Sequence, residues 1–463
     1  MNNETTATTV PVELLRKYDR PGPRYTSYPT APVWTDEVGT EAYVDALGRA
    51  SQHPDAPLAL YCHIPFCRKR CYYCGCNTYI TNNPARVDYY ITNLCREIER
   101  TAGLLKPRRK VNQLHFGGGT PTYVDITGMA AIFDCLEEHF DFVEGGERSI
   151  ELDPRVTTRE QLDFLIRRGF NRVSIGVQDF DPDVQEASGR VQPEKTVTDM
   201  LDYCHRLNLK GINFDLIYGL PRQTVAGFMA TLDKTIALRP DRLAVYSFAY
   251  LPTVKSHQSR IRPEELPSTE VKYQLFAAAV EKFTAAGYRQ IGMDHFALPT
   301  DELSLAQADG RLHRNFMGYT VQSAPEMIGF GMSSIGYVDN SFFQNHSKLD
   351  SYKQSVSGDG LAVFRGMRLS DDDLIRQYVI TSLMCNFRLK FSELKTRFDI
   401  VYHDYFGDDL AGLAGFVDDG FLVESETGLT ITPLGRTFVR NIAMTYDAYL
   451  KSDSKKATFS RTI

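Results

Sequence analysis

The sequence predicts an α/β protein built on a partial (β/α)6, TIM-like barrel, with an N-terminal arm before it and a mostly helical C-terminal domain after it. Three observations predict this. From about residue 57 to about residue 290, six short apolar runs alternate with six amphipathic helical patterns, the rhythm of βαβ units and a parallel sheet. Six units are too many for a simple three-layer half and suit a barrel or part of one. Every polar or glycine-rich oddity in this stretch falls at or just after a strand end, where barrel enzymes carry their chemistry.

Taken in order, residues 1–52 read as an arm and a first helix. Within the arm, Arg20-Pro-Gly-Pro-Arg24-Tyr25-Thr-Ser-Tyr28-Pro29 cannot be helical, because its prolines remove donors and clash with a preceding turn. Its arginines and tyrosines suggest a strap over the barrel mouth, separable from the fold. Residues 53–300 form the expected barrel, with strands at 58–64, 112–116, 149–152, 172–177, 212–217 and 243–248. The expected helices are 87–105, 129–140, 159–168, 195–207, 225–238 and 271–286. Residues 301–463 follow as a covering domain. Its 312–320 stretch lacks a period and reads as a loop. The domain is mostly helical, clearest over 371–450, with a short strand pair near 422–423 and 429–431. Helices followed by a small β-wing resemble a winged helix, but without a basic excess they read as a substrate lid.

Composition narrows the function classes. The chain has 463 residues, 43% hydrophobic and 24% charged, with 52 basic and 58 acidic side chains giving a net charge of −6. That balance speaks against nucleic acid as a partner. The polar N-terminus is unlike a secretory signal, and no apolar run nears the roughly eighteen residues a span needs. A cytoplasmic, reducing location and a monomer are expected.

The chemistry is concentrated in cysteine. Five of the nine cysteines fall between Cys62 and Cys76. Cys67, Cys71 and Cys74 make a C-x3-C-x2-C triplet. Four thiolates normally close an iron–sulfur cluster, whereas three leave an iron open to a small molecule, as three-ligand catalytic metal sites do. A structural zinc site is the competing reading, but it needs a second ligand pair that Cys95, alone in a helical pattern, does not supply. The triplet, with aromatic Tyr73 before Cys74, resembles the signature of the radical S-adenosylmethionine (SAM) enzymes. In those, the open iron chelates SAM through its amino and carboxylate groups.

The other strand ends agree. Gly117-Gly118-Gly119-Thr120-Pro121 follows the second strand; glycines there either permit a tight turn or let backbone approach a ligand's ammonium group. Glu151, Gln178, Asp215 and Ala249 mark the third to sixth strands. Gly329-Phe-Gly-Met-Ser-Ser-Ile335-Gly336 has the wrong spacing for a dinucleotide site, and packing is its expected role.

Longer segments carry a closer resemblance. Gly22-Pro-Arg-Tyr-Thr-Ser-Tyr-Pro-Thr30, His63-Ile-Pro-Phe-Cys67, Gly176-Val-Gln-Asp-Phe180, Asp215-Leu-Ile-Tyr-Gly-Leu-Pro221, Gly292-Met-Asp-His-Phe296 and His313-Arg-Asn-Phe316 are similar to the oxygen-independent coproporphyrinogen III oxidases, a radical SAM family. The resemblance implies a barrel of the radical SAM type and one 4Fe-4S cluster on Cys67, Cys71 and Cys74. It also implies two SAM molecules, one touched by Tyr61, Gly118, Glu151 and Ile335. The other would be touched by Tyr73, Gly119, Thr120, Gln178, Arg190, Asp215 and Ala249. The implied reaction uses a 5′-deoxyadenosyl radical to convert two propionates of coproporphyrinogen III to vinyl groups. A low-potential donor such as a flavodoxin or ferredoxin would supply electrons. Related haem-binding chaperones carry an aromatic residue at the position of Cys76, which makes Cys76 the catalytic candidate outside the cluster. Cys62 reads as a small core residue.

Overall fold

A computed structural model describes residues 9–322, 324–358, 360–451 and 459–462; the first eight residues of the arm and the C-terminal Ile463 lie outside this range. The six expected strands are present: β1 (Leu58–Ile64), β2 (Lys110–Gly118), β3 (Asp141–Leu152), β4 (Arg172–Gln178), β5 (Ile212–Tyr218) and β6 (Arg242–Ser247). They lie side by side in that order, all parallel. Helices Pro84–Leu105, Ile126–His139, Arg159–Arg167, Glu194–Arg206, Val225–Leu238 and Thr269–Ala285 follow them in turn. Five of the six begin on a side chain that accepts a backbone N–H, from Asn83, Asp125, Thr158, Thr224 and Ser268, each such cap worth about 1 kcal/mol.

Alternation along the strands separates core from site. On β5, Ile212, Phe214, Leu216 and Tyr218 are buried in the main hydrophobic core. Asn213, Asp215 and Ile217 point the other way, as the two-residue strand period requires. The same inward stripe holds His115 on β2, Ser149 and Glu151 on β3, and Ser174 on β4, joined by hydrogen bonds such as His115 to Ser149 at 2.7 Å. The barrel interior is therefore polar on its inner face.

The sheet does not stop at residue 300. A hairpin of β7 (Arg289–Gly292) and β8 (His295–Ala297) extends one side, with β8 antiparallel to β6. On the other side β9 (Glu326–Phe330) adds a seventh parallel strand beside β1. β10 (Ile335–Val338), β11 (Ser341–Asn345) and β12 (Val363–Arg368) continue from it, each antiparallel to the strand before. The twelve-stranded sheet stays open, with β7 and β12 as its edges. The helical reading beyond residue 300 thus misses strands of four to six residues, too short to show a period. Between β10 and β11, Asp339 and Asn340 both hold positive φ, 46° and 52°, as a two-residue hairpin turn demands. Gly329 and Gly331 do have the packing role expected, since a Cβ would strike the Ile335 backbone or the Tyr90 hydroxyl and His63 carbonyl.

From Asp371 the chain is mainly helical. Its small sheet gains a third strand, Arg388–Lys390, beside the expected pair at Leu422–Ser425 and Gly428–Ile431. The arm is woven into this region. Tyr25 and Tyr28 are buried; the Tyr25 hydroxyl donates to Asp447 at 2.9 Å. Arg440 donates to the Pro23 carbonyl at 2.6 Å. The expectation of a separable strap is corrected here, because its tyrosines are core residues. Arg24 keeps a place near the mouth, paired with Asp294 at 2.5 Å and over the ring of Tyr246.

Candidate active site

Beyond β1 the chain forms a two-residue strand, Phe66–Cys67, paired in parallel with Tyr79–Ile80. This pinches the cysteine stretch into a closed loop at the C-terminal end of the barrel. Further bonds fix the loop. Tyr72 N–H donates to Ser188 at 2.9 Å, and Arg70 donates to the Thr78 carbonyl at 2.8 Å. His63 Nε2 donates to the Asn77 carbonyl at 3.0 Å, so its Nδ1 accepts from the Tyr61 hydroxyl, also at 3.0 Å. Burial holds His63 below the usual imidazole range, in keeping with that neutral tautomer.

A cavity of about 540 Å³ opens between this loop and the strand ends. It brings together Cys67, Cys71, Tyr73, Cys74, Cys76, Gly118, Gly119, Thr120, Glu151, Gln178, Arg190, Asp215 and Ala249. Two of the residues singled out in the sequence stand behind its wall. Tyr61 lies across Gly117 from Glu151: a Cβ on Gly117 would sit 3.2 Å from both. Ile335 lies with its backbone against Gly329, the register partner of Tyr61.

The glycine run is a close approach. Cβ atoms on Gly118 and Gly119 would stand 2.8 Å and 2.6 Å from the Ile64 and Pro65 carbonyls. The N–H of Gly118 is taken by Glu151 at 3.1 Å, and those of Gly119 and Thr120 by Ile64 and Phe66 at 2.8 and 2.9 Å. The run can therefore offer a ligand carbonyl acceptors, the right kind of group for an ammonium.

The thiols sit in a cationic surround. Arg190 and Arg155 reach to 3.7 and 3.8 Å from the Cys71 sulfur, and both grip Asp153, at 3.1 and 2.6 Å. Burial works against the Asp153 charge, yet Arg155 and then Arg190 keep its carboxyl below the usual range. Two guanidiniums on one carboxylate leave a surplus positive charge beside Cys71, and the buried Arg190 Nε has no partner among the described residues. Burial pushes the Cys67 thiol up to about 11, opposed by Thr120 and helped by the charges of Cys74 and Cys71. Cys74 is drawn down to about 6, first by the Cys76 thiol, against burial. Among the described residues no three His, Cys, Asp or Glu side chains converge where a single ion could sit. A cube of four irons needs no such convergence, since each thiolate meets its own corner. Three clustered thiols beside spare cationic charge fit such a cluster.

Asp215 accepts from Ser174 at 2.8 Å and Asn213 at 2.9 Å, and burial pushes it up to about 7 despite both donors. Gln178 holds a positive φ of 70° where β4 ends, which turns its side chain back toward Gly176.

Several residues at this site escaped the sequence reading. Asp153 and Arg155 follow β3 directly, and their acid–Pro–base order was the available signal. Gln258 and His257 had none. They come from a short turn, Ser256–Arg260, and donate to the cysteine loop at the Tyr73 and Cys74 carbonyls, at 3.2 and 2.8 Å. Gln258 also holds the Ala249 carbonyl at 3.1 Å.

Comparison with known proteins agrees with this geometry. Residues 61–235 match the radical SAM superfamily, and residues 369–438 match the HemN C-terminal domain. The chain is 43% identical over 450 residues to the oxygen-independent coproporphyrinogen III oxidase of Escherichia coli (strain K12), covering 97% of this chain and 98% of that one. Against the enzyme of the same name from Synechocystis sp. it is 42% identical over 455 residues, 97% of each. The solved structure of coproporphyrinogen III oxidase (HemN) from Escherichia coli, a radical SAM enzyme, superposes with a TM-score of 0.90 at 41% identity, covering 96% of this chain and 100% of that one. With its cysteine loop, its barrel and its C-terminal unit all matched, the chain belongs to the oxygen-independent coproporphyrinogen III oxidase family of radical SAM enzymes.

Proposed function

We propose that this enzyme decarboxylates the ring A and ring B propionates of coproporphyrinogen III anaerobically, leaving vinyl groups and giving protoporphyrinogen IX. Cys76 is the observation that carries this reading. It is exposed in the cavity, two residues past Cys74 and in thiol contact with it, where a bare cluster carrier needs no cysteine. We read Cys67, Cys71 and Cys74 as the ligands of one 4Fe-4S cluster. When bound, the reduced cluster and SAM supply a 5′-deoxyadenosyl radical able to take a hydrogen atom from a propionate.

The chain's own part is binding, orientation and proton control. The spare charge of Arg190 suits a carboxylate of SAM. Glu151 and Asp215 suit ribose hydroxyls, and the Gly118–Thr120 carbonyls suit an ammonium. Two SAM molecules divide as the family resemblance divides them. Tyr61, Gly118, Glu151 and Ile335 serve one. Tyr73, Gly119, Thr120, Gln178, Arg190, Asp215 and Ala249 serve the other. Cys76 lines the cavity beside the cluster ligands and offers its thiol as a contact to the reacting groups. A low-potential donor such as a flavodoxin or ferredoxin would supply the electrons, and the enzyme acts as a monomer. All nine cysteines are free, which suits a reducing cytoplasm. No helix among the described residues is long and apolar enough to cross a membrane.

The test is anaerobic incubation with coproporphyrinogen III, SAM and a low-potential reductant, with porphyrins identified by mass after oxidation. A SAM-dependent divinyl product is expected. Stable haem binding with no such product would replace this reading with a haem carrier.

A further inference from the structure

A second cavity, of about 510 Å³, lies away from the cysteine loop. Arg289, which lines it, begins β7; its register partner Ala297 pairs in turn with Arg242, the first residue of β6. The cavity therefore sits at the N-terminal end of the parallel strands, opposite the catalytic mouth. Its other wall is the C-terminal unit, which contributes Arg388 and Arg436.

Among the described residues three arginines line this space and no carboxylate does. Arg436 lies over the ring of Phe387, 4.7 Å from its centre, and donates to the Gln290 carbonyl at 3.4 Å. Its Nε is buried with no partner among the described residues. Burial, and then the like charge of Arg289, press its guanidinium below the usual range, with no carboxylate acting in the other direction. Arg388 lies against Gly310, and the neighbouring Asp309 is engaged by Arg311 at 2.9 Å. Across the cavity Ser304, 1% exposed, presents a buried hydroxyl that also has no partner among the described residues. Uncompensated charge and an unbonded buried hydroxyl are each costly. Convergent donors without an acceptor are what a multiply charged oxyanion satisfies, and guanidinium forks match phosphate oxygens.

We propose that this cavity binds a phosphate group, free or carried on a small metabolite, through Arg289, Arg388, Arg436 and the Ser304 hydroxyl. The occupant would join the sheet edge to the C-terminal unit and steady that unit over the barrel. Nothing in this depends on the decarboxylation chemistry, so either idea can fail alone.

The experiment is calorimetric titration of the full-length chain at fixed ionic strength with inorganic phosphate, pyrophosphate and ATP, chloride serving as control. Saturable binding of at least one of the three is expected, weakened tenfold or more in both Arg289→Gln and Arg388→Gln, with SAM binding unchanged. Neither arginine holds a backbone group, so both variants should fold; if one does not, the other carries the same test. Binding of inorganic phosphate or pyrophosphate would identify the free anion as the source, and binding of ATP alone a carried phosphate. Absence of saturable binding by all three, or binding undiminished in the folded variants, would overturn the proposal.

Discussion

Cys76 and Cys74 sit two residues apart but are proposed for different work, and substitution should separate them. Serine at Cys67, Cys71 or Cys74 is expected to leave protein with little iron and sulfide after anaerobic reconstitution, because a hydroxyl does not replace a thiolate at iron. Serine at Cys76 should leave both near the wild-type complement while product falls on the order of a hundredfold, the scale of a reacting group held out of position. A fully loaded Cys71→Ser protein would remove the ligand assignment. Arg190→Ala makes a third case. It removes a buried charge paired with Asp153 at 3.1 Å, so cluster assembly should survive while SAM binding weakens about ten- to a hundredfold, the worth of one charge-assisted bond. Unchanged SAM affinity in that variant would show that Arg190 serves only Asp153. The triplet was legible in the sequence because its spacing is local. Gln258 was not, because its role depends on a turn some 180 positions away meeting the Tyr73 carbonyl.

At the scale of elements, Glu97 joins the first barrel helix to the sheet's late extension. Its carboxylate accepts from Tyr352 at 2.7 Å, from the Gly331 N–H at 2.8 Å and from Asn345 at 2.5 Å. Burial nevertheless pushes it up to about 7, with Tyr90 and Cys62 also nearby. A carboxyl raised in the folded state binds its proton over a range where the unfolded chain has released it. Stability is then greatest below the ordinary Glu value and is lost as pH rises toward 7, by on the order of 3 kcal/mol. Denaturant melts at pH 5 and pH 8 should show this fall, and Glu97→Gln should flatten it. An equal slope in the variant would assign the pH dependence to other groups. The six βα units were readable because each strand is a compact apolar run followed by an amphipathic helix. The strands between Glu326 and Arg368 were not, because they are short and glycine-broken, and depend on β1 for an edge to join.

For the whole molecule, the arm changes the most between sequence and structure. Prolines and exposed-looking arginines suggest a cover, whereas Tyr25, Tyr28 and Leu15 lie in the main core. Sequence cannot show this, since burial of the tyrosines is supplied by residues some 420 positions later, Asp447 and Arg440. Deleting residues 1–30 is therefore expected to lower the melting temperature by several degrees or more and to loosen the C-terminal unit. A truncated chain that melts like the intact one would restore the strap reading. The central claim, that one cavity joins the cluster site to propionate decarboxylation, is tested most directly by counting carbon dioxide. With coproporphyrinogen III labelled in its propionate carboxyls, anaerobic turnover should release two labelled carbon dioxide molecules per macrocycle converted in the intact enzyme and none in Cys71→Ser. Equal release from both proteins, or none from the intact enzyme with cluster and SAM bound, would contradict the account.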